Sequence, residues 1–136
     1  MTAKSIVMER TINASVDEIW PYISRGDLWA RWQGKECSID PKPGGELRIR
    51  MPNDAIVSGT ILEAEPPNRL VFTWGWSDAP FTFEPGTSTV TITLKALSDK
   101  VTHLKLVHSG VPNELHGHHT GGWTHCLADL INALAE

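Results

Sequence analysis

GTILEAEPPNRLVFTWGW, residues 59–76, decides how the rest of the chain reads. Both halves alternate apolar and polar residues with a period of two, and Pro66-Pro67-Asn68 between them is turn chemistry. The segment is therefore a β-hairpin. Leu70, Phe72, Trp74 and Trp76 share one face of its second strand, an aromatic surface that must be covered. Glu63 has the parity of Gly59 and Ile61, so its carboxylate either faces inward as a candidate base or pairs with Arg69 or an indole N–H.

The same period extends outward from the hairpin. Upstream, GELRIRM sets Leu47, Ile49 and Met51 against Glu46, Arg48 and Arg50, and AIVSG leads into the hairpin. Downstream, TVTITL sets Val90, Ile92 and Leu94 against threonines, and VTHLKLVH puts Leu104, Leu106 and His108 on one side. Residues 35–108 thus read as a long antiparallel meander with one apolar face. SIVMERTI is a further strand at the N-terminal end.

After it, Ser15 with Glu18 three residues on makes a capping box, and Val16, Ile19, Trp20 and Ile23 form a helical stripe. Pro21 lies inside that stripe and is expected to bend or shorten the helix. GDLWARW follows as a second short helix with Trp29 and Trp32 at i, i+3. Near the C-terminus, Trp123, Leu127, Leu130 and Leu134 recur at helical spacing, with His116 and His119 on their side and His118 and His125 opposite. A long amphipathic helix laid on a curved antiparallel sheet is the simplest way to cover the apolar face.

Composition narrows the partners. The 136 residues suit a single domain, 1–136, with a sizeable core. Twelve basic and sixteen acidic residues give a net charge of −4 without a basic cluster, which argues against nucleic acid or an anionic membrane as the main partner. No apolar run approaches the roughly 18 residues of a membrane span, so no membrane insertion is expected and a cytoplasmic location is. Cys37 and Cys126 lack paired spacing and read as reduced, buried thiols. Neither cofactor nor metal is expected, since no paired-cysteine or H-E-x-x-H pattern occurs. The odd feature is six Trp against three Phe and one Tyr.

Three segments carry a family resemblance. SVDEIWPYISRGDLWARW is similar to the opening helices of START-like proteins. GTILEAEPPNRLVFTW, with its Gly, E-x-x-P-P turn, Arg-Leu and closing Trp, resembles the hairpin of the family named after the activator of the heat-shock protein 90 ATPase. HTGGW (119–123) resembles that family's His-x-x-Gly-Trp at the start of the last helix. The resemblance implies an α+β helix-grip fold (START-like, Bet v 1-like): two short helices after strand 1, and a curved antiparallel sheet wrapped around a long C-terminal helix. It also implies a cavity between helix and sheet. Pro21 and the His- and Gly-rich HGHHTGG stretch depart from the family pattern, and a chain of this length has no room for the eukaryotic activator's additional domain.

The cavity expected from that fold would be lined by Trp32, Phe72, Trp74, Trp76, Ile92, Leu106, His108, His119, Trp123 and Leu127, and would take a small hydrophobic molecule. Whether these side chains line a space or fill it stays open at this point. His108, His116 and His119 could meet at one rim, where imidazoles orient a ligand, move protons or bond backbone carbonyls. Phe81 and Phe83, in the turn-rich loop SDAPFTFEPGTS, suit a lid over a pocket or a homodimer contact. A cyclase or dehydratase using the same cavity and a chaperone-interaction module are the rival readings.

Overall fold

The computed structural model describes residues 5–76 and 88–135. Strand β1 (Ile6–Ile12) leads into helix α1 (Val16–Ser24), whose start is set by the expected capping box. The Ser15 side chain accepts from the Glu18 N–H, and the Glu18 carboxylate accepts from the Ser15 N–H. Pro21 sits within α1, which ends at Ser24. Helix α2 (Gly26–Trp29) is a single turn whose Trp29 stacks on Trp32 with ring centroids 5.1 Å apart. Trp32 donates its indole N–H to the Tyr22 carbonyl, tying α2 to α1.

Six strands then run as the expected meander: β2 (Glu36–Ile39), β3 (Glu46–Arg50), β4 (Ile56–Glu65), β5 (Arg69–Trp76), β6 (Ser88–Ser98) and β7 (Val101–Ser109). The chain's first strand returns to pair with its last, so the antiparallel sheet has the order β1-β7-β6-β5-β4-β3-β2. Leu70, Phe72 and Trp74 stand opposite Ile92, Val90 and Ser88, and Ile92 and Val90 stand opposite Leu106 and His108. This register aligns the apolar positions of three strands on one face. At Gly59 the backbone of β5 comes so close that an added Cβ would lie 1.8 Å from the Thr73 carbonyl oxygen, which only glycine permits.

The parity of β4 breaks at one point. Ile61 pairs with Phe72 but Glu63 pairs with Val71, which leaves Leu62 as the extra residue of a β-bulge. The inward option for Glu63 is thereby corrected: the bulge turns its exposed carboxylate to the outer face, 3.4 Å from the Arg69 guanidinium.

A 3-10 turn at Asn113–Leu115 precedes helix α3 (His116–Leu134), which continues through Gly121 and Gly122. His119, Trp123, Leu127, Leu130 and Ala133 are its buried residues, and Trp123, Leu127 and Leu130 join one apolar cluster with Ile19, Ile23, Trp29, Phe72, Ile92 and Leu106. Among the described residues, no helix is long and apolar enough to cross a membrane.

Candidate functional site

Between α3 and the sheet lies a cleft of about 290 Å³. Its floor is Trp74 and Trp76, two alternate residues of β5 and therefore on one face. One wall is His118, His119, Gly122, Trp123 and Cys126 of α3, at the i, i+3, i+4 spacing that brings side chains to a common edge. The opposite wall comes from irregular backbone: Gln33 follows α2, and Met51, Pro52 and Asn53 form the turn between β3 and β4. Gly34, at φ +76°, supplies the left-handed turn that carries the chain from Gln33 into β2.

Two imidazoles behind and beside this cleft have their protons placed by their neighbours. The Trp123 indole N–H donates to His108 Nδ1 at 3.1 Å, and an indole nitrogen can only donate. Neutral His108 therefore carries its hydrogen on Nε2 and donates it to Ser88 Oγ at 2.9 Å, and Ser88 donates to the Trp74 carbonyl at 2.6 Å. A second chain has the opposite tautomer. Trp76 Nε1–H donates to His119 Nε2 at 3.1 Å, so His119 bears its hydrogen on Nδ1, 3.0 Å from the Leu115 carbonyl oxygen it bonds.

Both rings are held neutral. Burial pushes His108 down to about 3, and the neighbouring His119 and His116 add to the effect. A proton on its Nδ1 would also meet the Trp123 N–H head-on. Burial lowers His119 as well, partly offset by its bond to Leu115. Cys126 is pushed up to about 11 by burial, against a hydrogen bond from Gln33 that favours the thiolate. These groups are poor proton carriers near neutrality. The acid-base option for His108 and Glu63 is not assembled either, because one side chain is fully buried and the other lies on the outer face.

Of the ten cavity residues expected from the sequence, Trp74, Trp76, His119 and Trp123 edge the cleft. Trp32, Phe72, Ile92, Leu106, His108 and Leu127 do not; they are packed in the core, from 0 to 2% exposed. They point inward as expected, but neighbouring core side chains, such as Trp29 against both Trp32 and Phe72, occupy the space around them. His116 turns to the Val111 carbonyl, 2.9 Å away, rather than joining a ligand-facing cluster. His118, expected on the side away from the cavity, stands at the cleft's exposed mouth. Gln33, Met51, Pro52, Asn53, Gly122 and Cys126 were missed; Gln33 directly after a Trp-bearing helix and Cys126 at i+3 from Trp123 were the available signals. Phe81 and Phe83 lie outside the described residues.

Comparison with known proteins matches residues 13–136 to the family described as Activator of Hsp90 ATPase homolog 1-like protein. The chain belongs to this family. Its fold is the helix-grip arrangement expected from the resemblance. A protein of Mesorhizobium loti superposes with a TM-score of 0.86 at 23% identity, covering 97% of each chain. CalU16 from Micromonospora echinospora gives 0.76 at 28% identity, over 96% of this chain and 74% of that one. The Aha1 dimer from Colwellia psychrerythraea gives 0.80 at 18% identity, over 97% and 96%. A search of curated proteins gives no match.

Proposed function

We propose that this protein binds a small, largely hydrophobic molecule in the cleft between β5 and α3. The observation that carries the reading is the cleft's lining: three indole-bearing residues and Met51, with no Lys, Arg, Asp or Glu among the described residues that line it. Burial of apolar ligand surface is then the main source of affinity, at about 25 cal/mol per Å² before ordering costs. A polar groove of about 310 Å³ on the outer face is a weaker candidate, because the Arg50–Glu36 ion pair already crosses it.

Gly122 provides the test. It edges the cleft, and a Cβ added there meets nothing within 4 Å, so Gly122→Phe plugs the space without a backbone clash. Binding of naphthalene-sized probes, followed by tryptophan emission, is expected to fall at least about tenfold while thermal stability holds or rises. Undiminished binding would remove this site from consideration. Native mass spectrometry of protein from its own host then identifies any retained molecule. The solution dimer of the Colwellia relative supports homodimerisation as a further proposal, tested by light scattering.

A further inference from the structure

The polar groups around the cleft are committed in one direction. Gln33 Oε1 accepts the Trp29 indole N–H at 2.9 Å, and because an indole only donates, the amide cannot be reversed. Its NH2 is thereby turned away from Trp29 and toward Cys126, to which one N–H donates, leaving the second N–H. Asn53 Oδ1 accepts the Ala55 backbone N–H at 3.1 Å, which fixes that amide in the same sense and leaves its NH2 as the outward end. His119 has both ring nitrogens engaged, one as acceptor and one as donor. Trp74 Nε1–H, in the floor, is buried with no hydrogen-bond partner among the described residues. Among these four side chains the acceptors are used internally and donors are what remains; His118 stands apart from them at the exposed mouth.

We infer that the cleft, if it is the ligand site proposed above, selects an uncharged molecule with an apolar body whose polar groups are hydrogen-bond acceptors such as ketone or ether oxygens. The amide N–H groups of Gln33 and Asn53 receive those oxygens. A ligand hydroxyl or amine presented as a donor meets further donors. A carboxylate finds hydrogen bonds but no cation in the described lining to offset its desolvation.

Equilibrium dialysis of the intact protein tests this with three probes of one shape: 2-acetylnaphthalene, 2-isopropenylnaphthalene with CH2 in place of the oxygen, and 2-naphthoate. The three probes are compared at pH 8. The ketone is expected to bind at least as tightly as the alkene, although water holds the ketone more strongly, and about tenfold more tightly than the anion. Gln33→Leu lowers the ketone-to-alkene affinity ratio about fivefold, the factor for one net hydrogen bond. Asn53→Asp also lowers the ratio, and it keeps the oxygen that caps Ala55, so it covers the case in which the Gln33 variant does not fold. Naphthoate binding as tightly as the ketone, or a ratio unchanged in both variants, overturns this inference and leaves the ligand-binding reading standing. Failure of all three probes to bind overturns both.

Discussion

Replacing His108 with glutamine should flatten the protein's stability between pH 8 and pH 5. In the folded state the ring is completely buried and its proton affinity is pushed down to about 3, against an ordinary value of 6.5. The folded protein therefore binds this proton more weakly than the unfolded chain does. Stability from the neutral ring is complete above 6.5 and is lost as the pH falls toward 3. At about 1.4 kcal/mol per tenfold difference, His108 alone removes about 2 kcal/mol between pH 8 and pH 5. His119 is lowered too and acts in the same direction. Urea unfolding at unit pH steps, with the dependence on denaturant held common, measures the effect. His108→Gln lowers stability at every pH, since one amide cannot bridge Trp123 and Ser88 as the ring does. The decisive quantity is the slope, which should shrink by about 2 kcal/mol over the interval. Parallel curves for the variant and the wild type would refute the argument that His108 is neutral because it is buried and bonded.

The two imidazoles should show opposite tautomers in nitrogen-15 NMR, Nε2–H for His108 and Nδ1–H for His119; the same tautomer at both would contradict the hydrogen-bond chains. Ser88→Ala strands the His108 Nε2–H in the core and should cost about 1–3 kcal/mol by chemical denaturation, whereas loss below about 0.5 kcal/mol would mean the hydroxyl is not its partner. Gly121→Ala adds a methyl group that meets nothing within 4 Å and should stabilise α3 by up to about 1 kcal/mol, read as a higher Tm. Gly59→Ala should do the reverse, because its Cβ collides with the Thr73 backbone; a folded variant of unchanged Tm would argue against that close approach.

Most of the architecture was legible because strand period and helix period leave different marks. Trp74 and Trp76, two apart, could only share a face, and Trp123 and Leu127 could only share a stripe. What periodicity cannot convey is the distance between two apolar faces. Phe72, Ile92 and Leu106 point the same way as Trp74, yet they are closed into the core while Trp74 also borders the cleft. The far wall was also invisible, since Met51, Pro52 and Asn53 are held by a turn and carry no repeat. Glu63 shows the same limit on the scale of one residue: a single bulge at Leu62 reversed its side. The six tryptophans divide accordingly, with Trp29 and Trp32 filling the interior, Trp20 half-buried against it, and Trp74, Trp76 and Trp123 bordering the cleft.

The pairing of β1 with β7 has a consequence for assembly. Strands β2 to β7 can zip together as successive neighbours in the sequence. The first strand must wait for residues 101–109, its partner from the far end of the sequence. Until that closure, Ile6, Met8 and Ile12 stay uncovered and β7 presents an open row of backbone donors and acceptors to any passing chain. Closing so long a loop is slow compared with forming hairpins. Disturbance of the first dozen residues should therefore appear first as self-association during refolding, well before it changes the cleft, whose floor strand β5 lies three places away from β1 in the sheet.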